Sequence, residues 1–567
     1  MKIFLSYKIQ KYMQFSASFS LLIFTLSFVS QAYADISLPD AGRVVNELQT
    51  LQSTAVVDKQ EKDFFQNQTE SQAYSQDQTP IFVRAVIIEG NTAITSNQLH
   101  PLIQHLESNN NTLADLQRAT QELTQYYHEQ GYFLARAYLP KQQLDQDILT
   151  IKVIEGSLGG VNVQNHSNVP IAVIQNYLNQ IPLNHALKEK TANRVLLLIS
   201  DLAGIGATQA SLEAGQQTGQ TNLNLDLQGS KTYSGRVGLD NAGSTYTGQY
   251  RLSNYIETNS LFGYGEKLAA QLLLSNHDLR SGSLSGQFPV FSHGLVLGVN
   301  AGRTEYDLGQ QFTILDAHGT SENVGVNLSY PMIRSQTLNA RIKLNLDYRQ
   351  LEDEIAATET KTNKSNQITR VTLSLDQRDT YGFGQSRGGL NQLNFTVSTG
   401  KLDIESASAR RIDQLSAKTN GVFQKYELSL SRQQILTERM RASLYGYGQL
   451  SSKNLDSSEK FSFNAMRAYP SSEGLGDQGW GASVNVDYQL YPVVDLYLFN
   501  DLGKTYENKH PYLQEKNKRY LSSTGFGMRG AYKQFDYNAT VGWHNTSAAI
   551  SDKDKKPRIL AQIGWIF

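Results

Sequence analysis

The chain has 567 residues, which is too long for one ordinary domain, and its formal net charge is -1 at pH 7. This near-neutral charge gives no sign of a polyanionic partner, so we expect no binding of nucleic acid. Cysteine is absent, which excludes disulfides and every metal or redox site that needs a thiol. Tyrosine and glycine are frequent, with 30 and 43 residues, yet the mean hydropathy is -0.41. This combination is typical of sheets with aromatic belts around a polar lumen.

Residues 1–34 predict a secretory signal peptide. They contain no acidic residue, and lysines precede an apolar run at residues 19–29. Ala32-Tyr33-Ala34 forms a small-x-small cleavage site, so we expect cleavage before Asp35. No other apolar stretch is long enough to span a membrane as a helix. A membrane location for the mature chain would therefore require a β-barrel.

Residues 35–52 predict one amphipathic helix that a loose tether joins to the rest of the chain. Asp40 is a suitable N-cap. The apolar stripe of this helix consists of Val44, Val45, Leu48 and Leu51. Residues 53–79 are rich in Gln, Ser, Asp and Thr and lack any period, so we expect a flexible linker. A helix on such a tether is either a docking element or a frayed end, and the loose linker favours docking.

Two tandem α+β modules are predicted at residues 80–156 and 157–231. The first has a predicted strand within 82–91 that runs into a Gly90-Asn91 turn, a helix at 113–130 that ends at Gly131, and strands at 133–139 and 147–154. The second has a predicted strand near 161–163, helices at 171–178 and 188–202, and strands near 207–213 and 222–228. Because both units repeat the same order of elements, two modules are a better interpretation than one domain.

Past Lys231 the sequence period changes from helical to alternating. Within residues 341–349, one strand face carries only apolar side chains, namely Ile342, Leu344, Leu346 and Tyr348. The same alternation recurs at residues 368–379, 393–398, 427–432 and 484–490. A soluble sandwich also alternates, but seldom over so many consecutive strands. At about 10 residues per strand plus turns, residues 232–567 fit about 16 antiparallel strands of a transmembrane barrel.

The last strand predicts how this barrel closes. Its apolar side chains share one face and belong to Ile559, Ala561, Ile563, Trp565 and Phe567. A soluble edge strand that ended in Trp-Ile-Phe would be an aggregation hazard. We therefore expect this strand to pair with the first barrel strand, near residues 232–240.

Three segments carry a resemblance to a known family. They are residues 463–470 (Phe-Asn-Ala-Met-Arg-Ala-Tyr-Pro) with Gly476-Asp477-Gln478-Gly479, then Phe499-Asn500-Asp501-Leu502-Gly503, and residues 238–243 (Gly-Leu-Asp-Asn-Ala-Gly). In these segments the chain resembles the TpsB transporters of two-partner secretion, also called haemolysin secretion/activation proteins, which are relatives of the BamA-type insertases. The resemblance covers nearly the whole mature chain. It implies a 16-stranded barrel preceded by a plug helix and two POTRA modules.

The resemblance also implies a long loop between barrel strands 11 and 12 that folds back into the lumen. At the family's Val-Arg-Gly-Tyr motif this chain has Met466, Arg467, Ala468 and Tyr469. At the family's Phe-x-Asp-x-Gly motif it has Phe499, Asp501 and Gly503. The predicted ion pair is Arg467 with Asp501. Ala468 departs from the family's glycine and restricts the loop here to negative φ.

For the helix at residues 35–52, the resemblance implies that it plugs the lumen. Its expected docking residues are Asp40, Arg43, Val44 and Leu48. In relatives the linker allows the plug to move into the periplasm. POTRA modules present sheet edges to which an unfolded client can add a strand, and we expect the client site at the edge strand and neighbouring helix of the first module.

The implied function is an outer-membrane pore with its POTRA modules in the periplasm. It would capture a large, unfolded, TpsA-like exoprotein there and move it to the cell surface. Outer-membrane lipids and the barrel assembly machinery are further implied partners, and we expect no cofactor and no metal. The client could be an adhesin, a cytolysin or a contact-dependent inhibition toxin.

Three other functions stay open from the sequence alone. A BamA-type insertase is the closest alternative, although such proteins typically carry more or different modules and no plug helix. An outer-membrane enzyme is disfavoured, because there is no nucleophile elbow and no pair of histidines at metal-ligand spacing. A simple porin would leave residues 35–231 without a role, although the lumen could pass ions once the plug moves.

Overall fold

A computed structural model describes residues 38–52, 64, 76–382, 388–463, 466–514 and 516–567, with the backbone alone for residues 49–52. The predicted signal peptide (1–34) and most of the predicted linker (53–79) lie outside the described residues, as does the side chain of Leu51. In the described part of the chain, no helix is long and apolar enough to cross a membrane.

The first helix, α1, spans Ala41–Gln52 within the segment predicted to be helical. The carboxylate of Asp40 accepts a hydrogen bond from the backbone N–H of Arg43 (2.9 Å). Its carbonyl accepts one from the N–H of Val44 (3.1 Å). Asp40 therefore caps α1 as predicted, because the first N–H groups of a helix have no partner within the helix.

The first module contains two helices and five strands: β1 (Ile81–Val83), β2 (Ala85–Glu89), α2 (Ser96–Ile103), β3 (Asn109–Asn111), α3 (Leu113–Glu129), β4 (Arg136–Tyr138) and β5 (Ile148–Ile154). Its main sheet has the order β2-β5-β4, while β1 pairs with β3 separately. The single strand predicted within 82–91 is wrong, because the strand breaks at Arg84. Val83 and Val86 are both buried, and residues three apart cannot share one face of a regular strand.

The second module agrees closely with the prediction. Its elements are β6 (Ser157–His166), α4 (Ile171–Leu178), α5 (Glu189–Ser200), β7 (Ile205–Ala214) and β8 (Gln220–Gly229). The sheet order is β6-β8-β7. Both helices pack on one face of this sheet around a shared core, in which Ile174, Leu196 and Leu225 are almost completely buried. The predicted helix at 171–178 has the observed bounds.

The remaining strands form the predicted closed barrel of sixteen strands, in which β24 pairs with β9. They are β9 (Tyr233–Asp240), β10 (Arg251–Asn259), β11 (Lys267–Ser275), β12 (Arg280–Val290), β13 (Leu295–Asp307), β14 (Ala317–Arg334), β15 (Leu338–Ile355), β16 (Thr360–Asp379), β17 (Gly389–Ile404), β18 (Gly421–Ile435), β19 (Met440–Ser451), β20 (Gln478–Tyr491), β21 (Val494–Tyr506), β22 (Lys518–Tyr532), β23 (Phe535–His544) and β24 (Arg558–Ile566). A short helix, α6 (Ala407–Leu415), lies between β17 and β18.

Side chains alternate between the two surfaces of the barrel wall. On β15, Leu346 is 51% exposed on the outer surface, whereas Arg349 is 6% exposed inside. The outer surface is apolar and the inner surface carries charges, as the sequence predicts for a lipid-facing wall around a polar lumen. The predicted closing strand, β24, also exposes Ile559, Ile563 and Trp565 on the outer surface.

The second module docks against three barrel turns that lie at one end of the barrel. The side chain of Gln180 donates to the carbonyl of Ser292 (2.7 Å), and Ala203 N–H donates to the carbonyl of Gly265 (3.2 Å). The guanidinium of Arg334 binds both carboxylate oxygens of Asp201 at 2.8 Å. These contacts fix which end of the barrel faces the modules.

Candidate functional site

The long connection between β19 and β20 folds into the barrel, and we call it the lumen loop (residues 452–477). These two strands are the eleventh and twelfth of the barrel, so the loop lies where the sequence predicted it. Phe461, Phe463 and Met466 of the loop are at most 6% exposed, and they pack with Leu521 of β22. The wall and the loop therefore share one apolar core inside the barrel.

The tip of the lumen loop is bound to the wall through Arg467 and Asp501. The guanidinium donates to both carboxylate oxygens, with Nε to Oδ2 at 3.1 Å and Nη2 to Oδ1 at 2.5 Å. The backbone N–H of Arg467 donates to the same carboxylate (3.1 Å). Asp501 is fully buried and also accepts from the hydroxyls of Ser483 (2.8 Å) and Ser523 (3.1 Å). This bidentate geometry fixes the orientation of the loop as well as its position.

Each residue of the Phe-x-Asp-x-Gly motif contacts the lumen loop. The ring of Phe499 lies under the guanidinium of Arg467, with the ring centre 3.7 Å from Cζ. Asp501 accepts the hydrogen bonds of the arginine. Gly503 leaves the space that Phe463 fills, since a Cβ at this glycine would lie 2.3 Å from Cε1 of Phe463. The motif thus provides an aromatic ring, a carboxylate and free space, and the lumen loop contacts all three.

The other motif residues pack on the opposite side of the loop tip. Ala468 is 2% exposed, and its Cβ lies 3.2 Å from the position that a Cβ at Gly542 of β23 would occupy. The hydroxyl of Tyr469 donates to the carbonyl of Ser547 (2.9 Å), and its ring packs on His544. A side chain at position 468 is therefore accommodated because the facing wall residue is a glycine.

A second clamp holds the lumen loop to the far wall at Glu459. This carboxylate is 2% exposed and lies 3.0–3.3 Å from three cations on three strands, namely Arg349, Arg370 and Lys425. Sequence reasoning missed this residue. The sequence did contain an indication of it. Three predicted strands carry inward-facing cations, and such cations require a carboxylate nearby to neutralise them.

Two buried carboxylates of the lumen loop, Glu459 and Asp456, have lowered pKa values. Burial alone would raise the pKa of Glu459, but Lys425, Arg370 and Arg349 outweigh it and hold that pKa at about 2. Burial also opposes ionisation of Asp456, and the ammonium of Lys364 lowers its pKa. Because the pKa of Glu459 is depressed, its clamp contributes fully above the ordinary value of 4.5 and is lost as the pH falls towards 2.

Helix α1 lies against the lumen loop with its polar face. The amide of Asn46 donates to the carbonyls of Lys460 (2.7 Å) and Ser457 (3.2 Å). The guanidinium of Arg43 donates to the hydroxyl of Ser472 (2.7 Å) and to the carbonyl of Ser551 (2.9 Å). The helix is thus bonded to both ends of the lumen loop and to the loop between β23 and β24.

The apolar face of α1 packs on the opposite wall. Ala41 and Val44 are at most 2% exposed and Leu48 is partly buried. Their neighbours on the wall and the adjoining loops include Tyr246, Tyr306, Leu308, Phe312 and Leu351. Burial raises the pKa of Glu47, which lies 3.5 Å from Arg43 one helical turn away. All four residues predicted for the docked helix, Asp40, Arg43, Val44 and Leu48, therefore lie inside the barrel.

Comparison with known proteins decides the family. The model of the family described as "Haemolysin secretion/activation protein ShlB/FhaC/HecB" matches residues 219–530, and the "POTRA domain, ShlB-type" model matches residues 81–156. The chain belongs to the haemolysin secretion/activation protein family. It is an outer-membrane transporter of two-partner secretion with periplasmic POTRA modules, and this supports the predicted function over the insertase alternative.

Named relatives and solved structures agree with this membership. The chain is 25% identical over 523 residues to the heme/hemopexin transporter protein HuxB of Haemophilus influenzae, covering 89% of this chain and 91% of that protein. It is 22% identical over 448 residues to the outer membrane transporter CdiB of Dickeya dadantii, covering 76% and 77%. The structure of CdiB from Escherichia coli has the same fold, with a TM-score of 0.72 at 17% identity over 95% of this chain and all of that one.

Replacing Gly503 with alanine should loosen the lumen loop. The added Cβ would overlap Phe463 at 2.3 Å and the carbonyl of Trp480 at 2.6 Å, a strain of about 1–3 kcal/mol. We expect faster amide hydrogen exchange across residues 452–477. Gly446→Ala is the matched control, because nothing lies within 4 Å of its added Cβ. Equal protection of the loop in both variants would contradict the role of Gly503.

Proposed function

We propose that the POTRA modules capture one large unfolded exoprotein, that α1 then leaves the lumen, and that the client passes through the barrel while the lumen loop stays clamped. The observation that carries this proposal is the different attachment of the two bodies in the lumen. The loop reaches the wall through buried ion pairs at Glu459 and Arg467. Helix α1 is attached mainly by hydrogen bonds and apolar contacts, and one of these bonds runs from the N–H of Ala41 to the carboxylate of Asp353 on the wall (2.7 Å).

We propose that the attachment of α1 is weaker than that of the lumen loop. The hydrogen bonds from the amide of Asn46 join neutral groups and contribute about 0.5–1.5 kcal/mol each, whereas those from the charged guanidinium of Arg43 contribute about 1.5–3 kcal/mol each. Its N-cap, Asp40, is 3.4 Å from the ammonium of Lys364, which binds Asp456 more closely at 2.9 Å. Lys364 therefore keeps a carboxylate partner on the loop after the helix departs.

Release of α1 would widen a space that is already present. A polar cavity of about 1890 Å³ adjoins the helix, and Val45 and Leu48 are among its lining residues. Without α1, this cavity and the volume of the helix would become one passage beside the loop. The predicted linker at 53–79 would hold the released helix near the periplasmic end. Residues 35–52 thus act as a plug, and a porin-like ion leak accompanies the open state.

Capture of the client is proposed at a sheet edge of the first module. Strand β2 is an edge of its sheet, and Ile87 on this strand is 46% exposed. The N–H of Val86 donates to the carboxylate of Glu107 (2.9 Å). An added client strand would replace this side chain with a backbone carbonyl, which is the usual chemistry of strand addition.

The further partners follow from the barrel surface. We propose that the barrel assembly machinery reads the C-terminal strand, whose last residue, Phe567, exchanges two backbone hydrogen bonds with Gly235 (3.1 and 3.2 Å). Lipids would cover the exposed apolar wall.

The proposed domain limits are 1–34 for the signal peptide, 35–52 for the plug, 53–79 for the linker, 80–156 and 157–231 for the two POTRA modules, and 232–567 for the barrel. We propose no enzymatic activity. The name of HuxB mentions heme and hemopexin whereas that of CdiB names no cargo, so the proposed client is defined only as a secreted exoprotein.

Arg467→Ala should reduce secretion of the partner exoprotein to a small fraction of the wild-type level while the barrel still assembles. The substitution leaves Asp501 as a buried unpaired charge, which costs about 3–5 kcal/mol, and it frees the loop tip. Secretion is measured in the culture medium, and assembly by heat-modifiable migration of the barrel.

Arg529→Ala is the matched control for this variant. Arg529 also pairs with a lumen aspartate, Asp487 (2.6 Å), and lies over an aromatic ring, that of Tyr497 (5.4 Å). Both partners are on wall strands, so the lumen loop is not involved. Wild-type secretion by Arg467→Ala, or an equal loss in both variants, would show that the loop clamp has no special role.

Deletion of residues 80–156 should abolish secretion without preventing barrel assembly. The first module has a core of its own, which includes Leu99, Leu123 and Ile151. Its loss removes the packing of Phe133 and Leu134 on the second module but leaves the core of that module and its contacts with the barrel. Pull-down of the unfolded client by the intact and deleted proteins measures capture directly. If the protein that lacks residues 80–156 captures the client as well as the intact protein does, the client site lies outside the first module.

A further inference from the structure

Two lysines lie on the lipid-facing surface at the end of the barrel that is remote from the POTRA modules. On β21 and β22 the even-numbered side chains point outward, as exposed Leu498 and Phe526 indicate. Lys504 and Lys518 are even-numbered and share this surface. In the strand register Lys504 stands opposite Trp480 and Tyr520, and Lys518 stands opposite Tyr506. The lysines and aromatic rings thus form one patch across three strands.

The position along β22 puts this patch at the level of lipid headgroups. Tyr532 marks the periplasmic end of the strand and Tyr520 lies twelve residues away, both on the outer surface. Strand rise and tilt turn this separation into about 29 Å along the membrane normal, close to the height of an apolar band with its aromatic girdles. Lys518 lies beyond Tyr520, and Lys504 is level with it. Both ammonium groups can therefore reach the outer headgroup layer.

The two lysines differ in their contacts from two other outward-facing cations, Arg303 and Lys361. Arg303 on β13 is 2.7 Å from Glu305, and Lys361 on β16 is 2.5 Å from Glu352. Lys504 and Lys518 both lie over the ring of Tyr506, with Nζ 5.1 and 5.7 Å from its centre. Neither lysine forms an ion pair with a carboxylate of the described residues, which do not include Glu515. The patch therefore presents two ammonium groups whose charge is available to an external anion.

We infer that Lys504 and Lys518, together with Tyr506, bind the phosphate groups of a phosphorylated glycolipid in the outer leaflet. Lysine is a compact donor that suits phosphate, and Tyr506 holds both ammonium groups near one point by cation–π attraction. Trp480 and Tyr520 supply the amphipathic rings that favour a membrane interface. The phosphates of a lipid reach this surface because it faces the bilayer.

Such a lipid would act on the wall that carries the loop clamp. Lys504 belongs to the same strand as Asp501, and its neighbours on β20 and β22 are the strands that supply Ser483 and Ser523. A headgroup bound across these strands would hold them together from outside. The inference does not depend on how the client is captured or on whether α1 leaves.

The test uses the full-length protein purified in detergent and measures retention of added lipid A by native mass spectrometry. The probes are lipid A with both phosphates and its enzymatically dephosphorylated form. We expect the wild type to retain the phosphorylated probe at least tenfold better. The double variant Lys504→Gln/Lys518→Gln should lose this preference, and Lys504→Arg/Lys518→Arg should keep it.

Lys533→Gln is the matched control. Lys533 also lies over a tyrosine ring, that of Tyr532 (5.4 Å), but at the periplasmic end of β22, so its loss should leave retention unchanged. Equal retention of both probes by the wild type would overturn the inference without any variant. Undiminished preference in the double glutamine variant, or an equal loss in Lys533→Gln, would overturn the assignment to these residues.

Discussion

The architecture depends on a carboxylate that must be neutralised inside a protein wall. Asp501 is fully buried, and an unpaired charge in such a position costs about 3–5 kcal/mol. Its neighbours on the adjacent strands in the register are Ser483 and Ser523, and both donate to it. They are neutral, so the compensating charge has to come from outside the wall. The guanidinium of Arg467 supplies this positive charge. Its pairing with Asp501 therefore fixes where the tip of the lumen loop lies.

Because the lumen loop is held in this way, the position of α1 depends on the position of the loop. The loop is clamped at Arg467 on one side and at Glu459 on the other, and its inner surface then forms half of the seat for α1. The other half is the apolar wall around Tyr306 and Leu351. The helix binds the carbonyls of Ser457 and Lys460, which belong to the clamped loop. We propose that a helix seated on a clamped loop can leave without disturbing the barrel.

Much of this arrangement could be predicted from the sequence, and the failures have physical reasons. The alternation of side chains predicts the barrel because lipid and lumen impose opposite polarities on the two surfaces of each strand. The break at Arg84 was missed because a short apolar run resembles a continuous strand unless its buried positions are known. Glu459 was missed because its partners are 34–110 residues away along the chain and converge only when three strands curve around the lumen. The pair Arg467–Asp501 was accessible only because its two motifs resemble those of a known family.

The central claim is that α1 leaves while the lumen loop stays, and reversible cross-links test it most directly. The chain has no cysteine, so each introduced pair is unique. Asp40→Cys/Ser457→Cys would join the helix N-cap to the loop, where the two side chains are 2.8 Å apart. Ala468→Cys/Gly542→Cys would join the loop to the wall. We predict that oxidation of the first pair stops secretion and that reduction restores it, while the oxidised second pair still secretes. Secretion through the oxidised first pair, or its loss in the oxidised second pair, would contradict the account.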